Sequence, residues 1–492
     1  MAEKGQIFQV EIIDMTEDGA GIGKADGFPL FVKDAVVGDT VRVEVIKDKK
    51  TYAYARILEV VSASRDRVTP ACEFARPCGG CQLQALSYEA QLKFKEEKVK
   101  NNLIRIGGVS EPNVLGIIGM DEPFRYRNKA EYPVRAGKDG EIAVGFYAGR
   151  THSIIECNEC LIGQPGDAKI INAIKKWAKE FGIAPYDEAS GKGFLRHVMI
   201  RSSQASDDVM VCLVVNSKKF KFADELTALL KGVGVTSLSY SVNLENTNVI
   251  MGREVRGIYG PLYIEDKILD VRYRISPLSF YQVNPVQTEK LYATALSFAG
   301  LSGNETVWDL YCGIGTISLF LAKSAKKVYG VEVIPQAIDD ARENARLNGI
   351  SNAEFFVGKA EEVLPEQFRK TGERADVIVV DPPRKGCDIE LLKCIKEMAP
   401  EKIVYVSCNP ATLARDVKVL CGEEAECASA SVTGASGESG EEIYAGAGVS
   451  DRTGARYKVE KVQPVDMFPQ TVHVETVVVL RGGKLTDIST LN

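Results

Sequence analysis

Residues Ile403 to Asp416 read IVYVSCNPATLARD. Four β-prone apolar residues carry a strand into Ser407 and Cys408, Asn409-Pro410 stops it, and Pro410 suits the first turn of a helix. In a parallel α/β sheet, a thiol at such a switch lies on the carboxyl edge, where ligands bind. A helix amino terminus there favours thiolate, which makes Cys408 the candidate nucleophile; the plainer role is a small buried hydrophobe. The choice turns on how many other motifs end at the same edge.

Upstream, ADVIVVDPPRKG predicts a strand over Val377 to Val380 that ends in Asp381-Pro382-Pro383. Prolines cannot continue a central strand, so they fix Asp381 in a stiff loop at the edge. Further upstream, TVWDLYCGIGTISLF predicts a strand from Thr306 to Tyr311, a Gly313-Ile314-Gly315 turn and a helix. Glycines at that turn let backbone approach a ligand, and the next strand, Lys327 to Val333, presents Glu332 where a carboxylate can hold ribose hydroxyls. A nicotinamide dinucleotide site is the rival, but Ser318 stands where its third glycine belongs, and D-x-x-C-G-x-G fits an adenosylmethionine turn better. Glycine turn, Glu332, Asp381 and Cys408 all fall at the carboxyl ends of successive predicted parallel strands.

Downstream, residues 421–456 are dominated by small residues and glutamates, which predicts a disordered insertion. YKVEKVQPVDMFPQTVHVETVVVL then predicts two strands of opposite sense around a proline-containing turn. Glu475 sits there among valines, and a charge so placed needs either a salt bridge or a role as general base.

The amino-terminal region is different in character. Residues 5 to 61 alternate β-prone runs with Asp-Gly and Gly-Asp turns, predicting a small five-stranded barrel. Residues 1–70 carry ten Lys/Arg against twelve Asp/Glu, so RNA contact would rest on a patch: Lys47, Lys49, Lys50, Tyr52 and Tyr54. PACEFARPCGGCQLQ follows, with Cys72, Cys78 and Cys81 spaced C-x5-C-G-G-C. Three thiols with wrapping glycines suggest a metal or iron–sulfur site lacking one ligand, and Cys157 and Cys160 are the candidates for the fourth; tetrahedral zinc fits the spacing equally. The radical-enzyme spacing C-x3-C-x2-C is absent. A helix with a solvated Lys/Glu face is expected over Tyr88 to Ile106. An antiparallel sheet with covering helices is expected from about Phe124 to Val271, made locally basic by Arg125, Arg127, Lys129, Arg135 and Arg150.

At 492 residues the chain needs two to four domains, and a formal net charge of −6 gives no field for nucleic acid. No long apolar run or signal-peptide core occurs, so a cytoplasmic protein with reduced cysteines, not associated with membranes, is expected. The expected divisions are 1–62 barrel, 63–95 cysteine loop, 96–270 central α+β domain and 271–492 Rossmann-like domain.

Taken together, FYQVN, DLYCGIGT, DPPRKG, VSCNPATLARD and HVETVVVL resemble the RNA (uracil-5-)-methyltransferase family, in the branch whose amino-terminal oligonucleotide-fold barrel, here Gly21 to Val32 and the hairpin after it, is a TRAM domain. The resemblance implies Cys408 as nucleophile and Glu475 as base. It implies a site for S-adenosylmethionine built from Gln282, Tyr311, Gly313, Gly315, Glu332 and Asp381. It also implies a [4Fe-4S] cluster on Cys72, Cys78, Cys81 and Cys160, the last preferred to Cys157 because Leu161-Ile162 follow it. The implied reaction forms 5-methyluridine in 23S ribosomal RNA, with transfer RNA as the second choice, by a monomer. The target base must leave its stack, and Phe280 would receive it or pack in the core. A non-catalytic iron–sulfur RNA-binding protein is the other class; intact Cys408 and Glu475 argue against it. Arg384, in place of an aromatic residue, argues against an amino-group methyltransferase of the D-P-P-Y type.

Overall fold

The computed structural model describes residues 2–137, 141–149, 151–157, 159–422 and 457–482. The expected insertion at 421–456 therefore lies outside the described residues apart from Cys421 and Gly422, and so does Arg150.

The first five strands, β1 (Ile7–Met15), β2 (Gly21–Ala25), β3 (Phe28–Val32), β4 (Thr40–Asp48) and β5 (Ala53–Ser62), close into a barrel in the order β1-β2-β3-β5-β4. Alternating residues such as Val41, Val43 and Val45 fill its interior. The cysteine loop follows and leads into helix α1 (Tyr88–Arg105), capped by the Ser87 hydroxyl, which accepts from the Ala90 N–H.

A second sheet is built from β6 (Lys129–Ala136), β7 (Ile142–Tyr147), β8 (Ile154–Glu156), β9 (Leu195–Ser202), β10 (Val209–Val215), β11 (Ser237–Val242) and β12 (Glu254–Tyr259), in the order β12-β11-β10-β9-β6-β7-β8. Helices α2 (Asp167–Glu180) and α3 (Ala223–Lys231) cover one face around Trp177 and Ile174. The sheet is not wholly antiparallel as expected. β10 and β11 pair in parallel because α3 makes the crossover between them. Met199, Met210 and Cys212 on the opposite face pack with Tyr273 and Tyr281 of the next region, so both faces are buried.

After the ribbon β13 (Ile264–Ile268) and β14 (Val271–Ile275), helix α4 (Pro285–Ala299) opens the carboxyl-terminal layer. There follow β15 (Thr306–Leu310), α5 (Thr316–Ala322), β16 (Lys327–Glu332), α6 (Pro335–Leu347), β17 (Ala353–Val357), α7 (Ala360–Thr371), β18 (Val377–Val380), α8 (Ile389–Met398), β19 (Lys402–Ser407), α9 (Pro410–Leu420), β20 (Tyr457–Val465) and β21 (Glu475–Gly482). The sheet order is β17-β16-β15-β18-β19-β21-β20; β17 to β19 run parallel, and β21 is antiparallel to both its neighbours. Winding reverses between β15 and β18, which is where a doubly wound sheet opens a crevice for ligand.

Helix α1 does not follow the linear division at residue 96. Its Val99 and Leu103 join Trp308, Leu413 and Val417 in the core of the carboxyl-terminal layer. Its Lys/Glu face is not wholly solvated either: Lys95 is fully buried, its ammonium 2.5 Å from Asp466 and 3.0 Å from the Phe468 carbonyl. The partner lies 371 positions along the chain, beyond the reach of local periodicity.

Candidate active site

The turn after β15 is built for close approach. Gly313 has φ +54° and a Cβ there would meet nothing within 4 Å, while Gly315 has φ +81° and a Cβ would press on Ala341 and Phe355 at 3.3 Å. The first glycine leaves room for a ligand, and the second lets α5 start against α6. Tyr311, with φ +72°, turns the chain out of the strand. Glu332 ends β16 and accepts the Ile334 N–H at 3.0 Å.

On the other side of the switch point, Asp381 directly follows β18 and Cys408 directly follows β19. Asn409 caps α9 by accepting from the Ala411 N–H at 3.1 Å, with Pro410 in the first turn as the sequence predicts. Ser407 pairs with Thr476 across the antiparallel β19–β21 ladder. Cys408 and Glu475 adjoin that last pair of the ladder, so two residues far apart in sequence come to one end of the sheet, and the Glu475 carboxyl raises the Cys408 thiol.

A single cavity of about 1150 Å³ gathers these groups. Gln282, Tyr311, Gly313, Glu332, Asp381, Cys408 and Glu475 all line it, as do Cys72, Cys78, Cys81 and Cys160; Gly315 is set back behind the turn. The volume exceeds what one drug-sized ligand needs, leaving room for a donor and a nucleobase together. Phe280 also lines the cavity and is 68% exposed, so it is not a core residue.

Electrostatics reverse one expectation. Burial, with the Glu475 and Asp381 carboxyls nearby, pushes the Cys408 thiol up to about 11, and the Arg384 guanidinium offsets only part of this. The helix terminus is outweighed: with no ligand bound, Cys408 is a thiol. Burial and the Asp381 carboxyl raise Glu475 well above the usual carboxylate range, again opposed by Arg384. Burial and Asp309 raise Asp381 to about 7. Glu475 makes no ion pair among the described residues, and its Oε2 has no hydrogen-bond partner. The salt-bridge alternative for this carboxylate therefore falls.

Three groups in the cavity were given no site role from sequence. Asp309 heads the D-x-x-C-G-x-G turn; it is buried, raised to about 7 by burial, accepts from the Ser318 hydroxyl and leaves Oδ1 unpartnered. Arg384 follows the double proline and is the cation facing both Cys408 and Glu475. His473 is held neutral, at about 4, by burial and by Arg384. The quoted motifs contained all three, but residue type alone did not mark them.

At the other end of the cavity the thiols are pinned from two sides. The Gly79 N–H donates to the Tyr147 carbonyl at 3.1 Å, and the Arg125 and Arg127 N–H groups donate to Leu161 and Ile162 at 2.9 and 2.8 Å, beside Cys160. Burial raises Cys81 and Cys157 to about 12, with neighbouring cysteines adding repulsion. Cys157 is engaged by the Glu159 carbonyl at 3.1 Å. No three Cys, His, Asp or Glu side chains among the described residues close on one ion. Four thiols are the soft donor set that zinc or an iron–sulfur centre takes.

Elsewhere, the basic residues of the central sheet are largely satisfied internally: Arg125 by Glu159, Arg135 by Glu188, Lys129 by Glu131 at 2.7 Å. On the barrel, Tyr52 lies 5.0 Å from Phe31 and 5.5 Å from Tyr54 between ring centroids, with exposed Lys47, Lys49 and Lys50 nearby.

Comparison with known proteins now has a geometry to meet. Residues 244–425 match the tRNA (uracil-5-)-methyltransferase family model and residues 2–58 the TRAM domain. A protein of Halalkalibacterium halodurans named an uncharacterized RNA methyltransferase is 47% identical over 97% of both chains, and one of the same description from Clostridium tetani is 44% identical over 97% of both. The chain belongs to the RNA (uracil-5-)-methyltransferase family. A crystal structure of the Pyrococcus abyssi tRNA (uracil-54, C5)-methyltransferase with S-adenosyl-L-homocysteine matches at a TM-score of 0.73 and 28% identity, covering 96% of this chain and 100% of that one. As a member of this family, the protein is an adenosylmethionine-dependent RNA methyltransferase with a TRAM barrel on a methyltransferase fold. No helix among the described residues is long and apolar enough to cross a membrane.

Proposed function

We propose that the protein forms 5-methyluridine in RNA, with Cys408 as nucleophile and Glu475 as base. The observation that supports this is one cavity lined by Cys408, by the glycine turn and by Glu475, a buried carboxyl with no ion pair among the described residues, the thiol and carboxyl adjoining the end of the β19–β21 ladder. Gln282, Tyr311, Gly313, Gly315, Glu332 and Asp381 would hold the donor. Adenosylmethionine, when bound, supplies an electrophilic methyl group.

The residues account for the remaining steps. Carbon 5 of uracil is a poor nucleophile. Once its proton has passed to solvent, the Cys408 thiolate adds to carbon 6 and moves the C5–C6 π pair onto the carbonyl as an enolate; carbon 5 would then bond to the methyl group as the bond from that methyl to the sulfonium sulfur breaks. Glu475 takes the carbon 5 proton, the C5–C6 double bond re-forms, and the sulfur–carbon 6 bond breaks to release thiolate. Arg384 stabilises both anionic groups. Phe280, with its ring exposed at the cavity, can stack on a uracil drawn out of its helix.

The thiols Cys72, Cys78, Cys81 and Cys160 would ligate a [4Fe-4S] cluster, with Cys157 left out because the Glu159 carbonyl holds it. We assign 23S ribosomal RNA as substrate, as the TRAM-bearing branch implies, and a cytoplasmic, monomeric enzyme. Transfer RNA is the second reading, favoured by whole-chain similarity to a protein named for uridine 54 of tRNA. Incubation with labelled adenosylmethionine and each RNA tests both: 5-methyluridine should form on ribosomal RNA, formation on transfer RNA alone selects the second reading, and none on either contradicts the assignment.

A further inference from the structure

Among the described residues Glu475 has no ion pair, and one of its carboxyl oxygens is unpartnered, so no side-chain bond shown there fixes where its carboxyl points. Its position depends on the backbone that delivers it, residues 466–474 between β20 and β21. That segment contains Gln470, a buried residue with φ +71°, a conformation that side-chain-bearing residues seldom adopt. The surroundings over-determine it. The Gln470 N–H donates to Gln91 Oε1 at 3.0 Å, and its own Oε1 accepts from Gln91 Nε2 at 3.1 Å. Its carbonyl accepts two N–H groups, from Gln82 at 3.1 Å and Leu83 at 3.0 Å, the residues that directly follow Cys81. Two residues on, the Val472 N–H donates to Gln82 Oε1 at 3.4 Å and its carbonyl accepts from Lys98 at 3.3 Å. From Val474 the chain enters β21.

We propose that Gln470 is a positioning residue for the reaction: it clamps the segment bearing the base to the cysteine loop and to α1, and so sets the Glu475 carboxyl against the cavity. Strain held at a single non-glycine residue by contacts on every side is the usual mark of a functional constraint. Because Gln82 and Leu83 adjoin Cys81, the same contacts carry any displacement of the cysteine loop to the base. This inference rests on Glu475 being the base.

The test separates the step that needs the base from those that do not. Fluorine cannot leave as a proton, so adduct formation on 5-fluorouridine RNA reports sulfur addition and methyl transfer alone. Gln91→Leu, which at similar volume removes both bonds to Gln470 together with the one to the Leu86 carbonyl, and Gln470→Gly, which accepts the same φ, should leave that rate within about twofold. On ordinary RNA their turnover should fall about 10- to 100-fold, the penalty of a roughly 1 Å misplacement, and a covalent adduct should persist. A general structural role would lower both rates together, and that result, or no change in either, overturns the proposal. Glu475→Gln run alongside distinguishes the two failures. If it traps an adduct and neither glutamine variant does, only this inference falls; if it traps none, the assignment of the base fails and takes this inference with it.

Discussion

At the residue scale the cavity gathers acids that disfavour each other's charge. Cys408, at about 11, is ionised in roughly one molecule in ten thousand at pH 7 before ligand binds. The thiolate and the Glu475 carboxylate are both the deprotonated forms, and both groups are raised, so the rate of adduct formation should climb with pH from 7 to 10. A rate that levels off near neutrality would show instead that the thiol is already activated. Arg384→Gln removes the cation that opposes both shifts and should displace the profile upward by roughly one unit while slowing adduct formation at pH 7. An unchanged profile would remove Arg384 from the chemistry. The sequence made Cys408 legible because strand, Asn-Pro stop and helix all mark it, but not the upward direction in which its surroundings move the thiol. A thiol's pKa depends on which carboxyls the fold brings opposite, and Glu475 arrives from another strand.

At the scale of elements, strand-to-helix turns were readable because their chemistry is local: glycines with positive φ, prolines in first turns, Asn409 as cap. Asn409→Ala should cost about 1 kcal/mol of stability, seen as a lower denaturant midpoint with an unchanged slope. Long-range partners were not readable. Lys95 belongs to a run that looks solvated, yet it neutralises Asp466 at the start of the loop that leads to Glu475. Lys95→Ala leaves that carboxylate buried without its partner and should cost about 3–5 kcal/mol, several times the cap. A loss below 1 kcal/mol would mean that the pair is dispensable. The parallel step in the central sheet was missed for a related reason: apolar alternation marks strands but not their direction.

At the scale of the molecule, the cysteine loop, central sheet and carboxyl-terminal layer line the cavity, which accounts for motifs spread over most of the chain. The divisions drawn along the sequence follow composition, whereas packing assigns α1 to the catalytic layer through Val99 and Leu103. Net charge of −6 leaves RNA contact to local features, and the Phe31, Tyr52 and Tyr54 rings with neighbouring lysines form such a patch on the barrel. Tyr52→Ala should weaken binding of a long RNA about 5- to 100-fold, as loss of one stacked base does, with kcat unchanged. Equal affinity in the variant would show that the barrel contacts RNA elsewhere.

The central claim is that sulfur and carboxyl act on opposite ends of one reaction, and the measurement that tests it most directly is the fate of RNA on the two single variants. With adenosylmethionine and substrate RNA, Glu475→Gln should accumulate a covalent protein–RNA adduct stable to denaturation, and Cys408→Ala should form none and yield no 5-methyluridine. Normal turnover by Cys408→Ala, or by Glu475→Gln without any adduct, would contradict the account.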